Sequence, residues 1–321
     1  MRYTFPILII FSIFFLAFSC KKEKTDVNVS KLISDVKINR FDREFANVDF
    51  KNFPALKTKY PLLFPDDRPD SAWVNFKNDS LFQLLHTHID STYKDFNKEK
   101  KELDELFKNV KYYYPSFKTP DVITLISLLD YDHQVIFTDS ILILSLDTFL
   151  GKNRPYYIEY PDYLRTNLEP SRLIFKVAEA VANETAPKTT NTLFFEKIIA
   201  LGKIKFAVQH FLPNKTETQI MNYAPERMEW AKNNEYYIWQ FFIEKNYLYD
   251  RDKELERRFI DPAPFSKFYI ENDAESPGQI GIWLGWQIVR SYAVNTGATL
   301  TQIMATSPEE IFKKSKYKPS K

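Results

Sequence analysis

The sequence predicts an α+β fold that is mostly helical, with a small sheet near residues 120–150. Three observations carry this. Apolar residues recur at helical spacing before residue 114 and again after residue 170. Between them lies a short apolar and β-branched block, Val122 to Leu128 and Gln134 to Leu146. Helices, then a small antiparallel or mixed sheet, then helices again make an α+β class.

The elements follow in order. Residues 30–47 open the fold with a short element. Asp70 to Phe96 carries Trp73, Phe76, Leu81, Leu84, Leu85 and Ile89 at helical spacing, with Asp70 or Ser71 as N-cap after Pro69. Lys98 to Tyr114 forms a charged amphipathic helix with Leu103, Leu106, Phe107 and Val110 on one face and Pro115 as its stop. Val122 to Leu128 reads as a buried strand. Gln134 to Phe137 and Ile141 to Leu146 flank Thr138-Asp139-Ser140 as a hairpin. After Gly151 comes an aromatic loop, Arg154-Pro155-Tyr156-Tyr157-Ile158-Glu159-Tyr160-Pro161-Asp162-Tyr163. Beyond it, 170–185, 191–212, 216–248, 277–296 and 300–314 read as helical.

The N-terminus reads as an address. Met1-Arg2 supplies a positive start, and Phe5 to Phe18 is mostly apolar. That run is short for a spanning helix, which needs about 20 residues, and suits a signal peptide. It ends Leu16-Ala17-Phe18-Ser19-Cys20, which resembles a bacterial lipoprotein box with cleavage before Cys20 and acylation of that residue. Two or more acyl chains at about 0.8 kcal/mol per buried CH₂ anchor a protein stably. Residues 1–19 are then a signal peptide, 20–30 the lipidated Cys20 and a polar tether, and 31–316 one globular domain, divisible into two lobes near 150–165. A cell-envelope location, tethered to a membrane after export, follows.

Composition removes several functions. The 44 basic and 42 acidic side chains give a formal charge of +2, with no overall pull toward nucleic acid. No two of the six glycines stand one residue apart, and neither Gly-Lys pair completes a P-loop, so both phosphate fingerprints are missing. One cysteine excludes an intrachain disulfide and a Cys-based zinc site. Among His86, His88, His133 and His210 no pair is four apart, as H-E-x-x-H requires. His210, near a helix end, reads as a cation on the dipole. A G-x-S-x-G elbow is absent. Acid pairs such as Asp66-Asp67 and Glu309-Glu310 read as loop and helix-start features. No cofactor is expected.

On the helix from about 171, Leu173, Val177 and Val181 lie four apart, as do Ile174, Ala178 and Ala182, making one apolar face. Ala178 and Ala182 therefore face the core or a shallow cleft. Glu179 reads as a surface charge paired with Lys176. Gly281 and Gly285 on a helix interrupted by Gln279, Gln287 and Arg290 read as a close crossing inside the fold, with partner docking as the alternative. Tyr156, Tyr157 and Tyr160 read either as a clamp packed on the domain or as an interaction surface for a partner or a sugar. The Tyr112-Tyr113-Tyr114-Pro115 cluster has the same two readings.

Two resemblances add to this. The stretch Ile143 to Gly151, followed by Arg172 to Ala182, resembles the strand, loop and active helix of predicted zinc proteases related to the gluzincins. There the helix carries H-E-x-x-H. Here those positions read Ala178-Glu179-Ala180-Val181-Ala182, and the place of the acidic third ligand is Leu201 before Gly202. The resemblance implies a degenerate zinc-protease-like architecture with no metal and no catalysis. Met221-Asn222-Tyr223 and Glu275 to Tyr292, together with the lipoprotein box, resemble the GldB family of gliding-motility lipoproteins from gliding Bacteroidetes. That implies a requirement for surface motility through contacts with other envelope proteins of the gliding machinery. A carboxylate-based envelope hydrolase and a peptide- or sugar-capturing module are the alternatives.

Overall fold

The protein, a computed structural model, is described over residues 27–65, 68–187, 190 and 192–321. The signal peptide, Cys20 and Asp66-Asp67 lie outside the described residues.

The order of elements is β1 (Ile38–Asn39), α1 (Phe41–Asn47), α2 (Phe53–Lys59), α3 (Asp70–Lys77), α4 (Ser80–Tyr93) and α5 (Asn97–Tyr113). Then come β2 (Asp121–Leu125), β3 (Val135–Phe137) and β4 (Ile141–Ser145). The remainder is helical: α6 (Asp162–Arg165), α7 (Leu173–Thr185), α8 (Phe194–Phe211), α9 (Glu217–Met221), α10 (Pro225–Asn233), α11 (Glu235–Glu244), α12 (Lys253–Phe259), α13 (Ile280–Thr296), α14 (Leu300–Ala305) and α15 (Pro308–Ser315). The fold is α+β, as the sequence predicts.

The sheet is mixed, in the order β1-β2-β4-β3. β2 lies parallel to β1 and to β4, while β3 pairs antiparallel with β4 through the expected hairpin. Helix α7 packs against β3, and α5 and α8 pack against α7. One continuous core runs from Val36 to Ile311. At its N-terminal end Phe41, Phe45, Phe53, Phe64, Trp73 and Phe82 form a ring cluster, with most neighbouring centroids 5–6 Å apart.

Several expected helices are broken, each by a local signal. The run 70–96 is two helices, because the Asp79 carboxylate accepts from the Leu81 and Phe82 amides and starts α4 afresh. Pro69, not Asp70 or Ser71, stands at the N-cap position of α3. The run 216–248 is interrupted by Asn222 at φ 56° and by Pro225 at the start of α10. The run 300–314 divides before Pro308, where the Ser307 hydroxyl accepts from the Glu310 amide. Helix α12 was not expected; Asp252 caps it through the Glu254 amide.

The closest helix contact is between α8 and α13. Gly202 on α8 lies against Gly285 on α13, so that two backbones touch where side chains would normally separate them. A methyl group on Gly285 would collide with the Ile198 carbonyl, and one on Gly202 with the backbone of Gly285 and Trp286. Gly281, one turn earlier, sits where a Cβ would lie 2.9 Å from the Phe259 carbonyl oxygen. The Gly-x-x-x-Gly stripe is thus a crossing within the fold. Trp286 Nε1 and Arg290 Nε both donate to Gln209 Oε1 at 3.2 Å, closing the same contact with polar links. Among the described residues no helix is long and apolar enough to cross a membrane.

His210 corrects an expectation. It is buried, Nδ1 faces the Phe206 carbonyl at 2.8 Å, and burial lowers its pKa. The ring is a neutral core group rather than a cation on the helix dipole.

Gly285→Ala is expected to destabilise by about 3 kcal/mol or more, because rigid backbone must move to admit the methyl group. Gly297→Ala, in open space at φ 68°, is expected to lose only about 1 kcal/mol. Urea denaturation of the two variants checks the contrast; equal losses would contradict the tight crossing.

Candidate functional site

Helix α7 has two faces with different fates. Leu173, Ile174, Val177, Ala178, Val181 and Ala182 are buried in the core. Arg172, Lys176, Glu179 and Asn183, at i, i+4, i+7 and i+11, form a polar row that opens onto a cleft of about 380 Å³. Across it stand Leu201 and Lys205 of α8, the α9–α10 turn at Asn222 and Tyr223, and Arg227 of α10. Gly278 and Gln279, at the N-terminal end of α13, complete the wall with Pro262 to Pro264.

The positions matched to a zinc site are therefore divided. Ala178 and Ala182 are fully buried in the core and do not line the cleft, whereas Glu179 and Leu201 do. None of Ala178, Ala182 and Leu201 offers a donor atom, so these residues do not fit a metal ion. Glu179 is not a solvated charge paired with Lys176. Its Oε1 accepts from Lys205 Nζ at 2.5 Å, an ion pair between α7 and α8 with both side chains about four-fifths buried. Burial pushes the Glu179 carboxyl up, but Lys205, Lys176 and Arg172 outweigh it and hold the group at about 2.

The other cations differ in how they are satisfied. Arg227 Nη1 donates to the Ala274 and Ser276 carbonyls at 2.5 and 2.7 Å. Arg172 is 6% exposed, stacks over the Phe175 ring at 4.3 Å and donates from Nη1 to the Gln219 carbonyl at 2.5 Å. Burial lowers its pKa to about 10, and its Nε has no partner. Among the described residues Lys176 makes no hydrogen bond; it is attracted to Glu179, but burial lowers its pKa.

The aromatic loop supports this cleft from behind. Tyr157 is fully buried; its hydroxyl donates to the Asp147 carbonyl and accepts from the Leu150 amide at 3.2 Å. Tyr160 donates to the Leu129 carbonyl at 2.6 Å, and Tyr156 meets His88 Nδ1 at 3.1 Å. All three rings act as a clamp, and Tyr157 has no face left for a sugar or partner. The loop they hold carries Leu128 and Leu129 at φ 57° and 68°, a conformation costly for leucine. The buried Asp147 carboxylate stabilises it by accepting from the Ser127 and Leu129 amides at 2.9 and 2.6 Å. From there Asn167 donates to the Tyr131 hydroxyl, and Asn222 donates to Asn167 Oδ1, each at 3.1 Å, which ties the clamp to the cleft rim.

A family model described as gliding motility protein GldB matches residues 22–319. The chain belongs to the GldB family. No curated protein and no solved structure matches it. The family links this chain to gliding motility and to a lipoprotein's place in the cell envelope. The match covers nearly all the described residues, and so includes every cleft-lining residue of this GldB member.

Sequence reasoning reached Glu179, Leu201, Met221-Asn222-Tyr223 and Gly278-Gln279, but gave the cleft no shape. It assigned no role to Arg172, Lys205 or Arg227. The available signal was the polar row on α7, whose period matches the apolar face opposite it.

Glu179→Gln is expected to cost roughly 2 kcal/mol at neutral pH, between the values for exposed and fully buried pairs. The folded-state pKa lies below the ordinary 4.5. The stabilisation is therefore full above that value and lost as pH falls toward 2. Urea titrations of both proteins across that window should converge; a constant gap would contradict the assignment. Tyr157→Phe is expected to lose about 1–2 kcal/mol in the same assay, because it leaves a buried amide and carbonyl without their shared hydroxyl.

Proposed function

We propose that this chain is a non-catalytic, lipid-anchored envelope component required for gliding, acting through contacts with other proteins of the gliding machinery. The observation that carries the reading is the GldB family match across residues 22–319. Physical arguments support it. The Leu16 to Cys20 box supplies an acylation site, and two or more acyl chains hold a protein on a membrane without a spanning helix. The zinc-protease likeness supplies no working site, since its ligand positions are Ala178, Ala182 and Leu201. Glu179 is a poor general base: a carboxyl held at about 2 has little affinity for a proton near neutral pH, where a useful base titrates close to 7. A pseudoprotease body retained for binding fits these residues.

Cys20→Ala in the living cell is expected to release the protein from the membrane fraction and to abolish gliding. Fractionation with colony spreading on agar reads both. A strain lacking the gene that still glides normally would reject the motility role. Stoichiometric zinc in the purified protein, or peptide hydrolysis stopped by a chelator, would reject the non-catalytic reading.

A further inference from the structure

We propose that the cleft between α7, α8 and the N-terminal end of α13 binds a multiply charged oxyanion, carried as phosphate or as clustered carboxylates on an organic molecule. The charge inventory comes first. Arg172, Lys176, Lys205 and Arg227 line the cleft against one carboxylate, Glu179, which Lys205 already engages. Three positive charges are left over inside a partly closed space, where they repel one another more strongly than in open water. An anion of matching valence relieves that repulsion.

Two side chains mark where it sits. Away from the cleft, the buried Lys203 donates to the Thr306 carbonyl at 2.8 Å, and on the cleft rim the half-buried Arg227 serves two carbonyls. Among the described residues Lys176 has no hydrogen-bond partner in the cleft, only its attraction to Glu179. Arg172 is more than nine-tenths buried, set over the Phe175 ring at 4.3 Å and anchored through Nη1, with Nε left unpartnered. A guanidinium fixed in this way is pre-organised for a planar or tetrahedral oxyanion.

The rim adds donors of the same sense. The 17-residue helix α13 points its N-terminal end at the cleft through Gly278 and Gln279, adding partial positive charge. Tyr131, having accepted from Asn167, keeps its own hydroxyl proton to donate. Neither phosphate nor carboxylate is excluded by these groups, and both use the same contacts.

Calorimetric titration of the full chain in detergent at low salt provides the test, with pyrophosphate, citrate and acetate as probes. Pyrophosphate or citrate is expected to bind one to one and acetate to bind far more weakly. Rising salt should weaken the interaction. Pyrophosphate alone would assign a phosphate ligand, and citrate alone a carboxylate one. Lys176→Gln removes no hydrogen bond, only an attraction to Glu179, so the variant is expected to stay folded with a modestly lower urea midpoint while affinity falls about tenfold or more. Lys313→Gln on the exposed face of α15 is expected to leave affinity unchanged. No binding by either polyvalent probe, or binding that Lys176→Gln does not weaken, would overturn the proposal.

Discussion

The architecture depends on two backbones that touch. Gly202 of α8 and Gly285 of α13 meet without side chains between them, and α5, α7, α9, α12, α14 and α15 pack on one or both of these helices. Helix α13 is consequently buried on nearly every side, with Trp283 and Trp286 among the largest fully buried groups. Helix α7 then packs on α8, and α15 packs on both α8 and α13. Close packing of this kind transmits any added methyl group directly into backbone displacement.

That crossing also creates the cleft. Because α13 is drawn against α8, its N-terminal end lies beside α8 and opposite the polar row of α7. A looser crossing would move Gly278 and Gln279 away from Glu179 and Lys205. The aromatic clamp secures the other side: Tyr157 and Tyr160 brace the Asp147-stabilised loop, and Tyr131, Asn167 and Asn222 carry that support to the rim. Structure and electrostatics are therefore linked, since the packing that forms the core also brings four cations and a single carboxylate to one cleft.

Much of the fold could be read from residue patterns, and the failures share a cause. Apolar spacing located α5, α7, α8 and α13 and the hairpin of β3 and β4. Breaks at Asp79, Asn222 and Ser307-Pro308 were missed where a capping side chain or a left-handed residue stopped a helix inside an otherwise periodic run. Glu179 shows the limit for sites. Its neighbour in sequence, Lys176, was the natural partner by spacing, yet Lys205, 26 positions away, forms the ion pair.

By itself, the sequence determined the class of fold, the buried row of α7 that carries Ala178 and Ala182, the glycine stripe of α13 and the lipoprotein box at Cys20. These are local matters of period, size and short motif, and they do not require knowing which segments meet. Only the tertiary structure decided that Glu179 is held by Lys205, that Tyr157 is interior, and that Arg172, Lys176, Lys205 and Arg227 face one cleft. Those outcomes arise from electrostatic and steric contacts between segments far apart in the chain, and such contacts have no signature until the helices are packed.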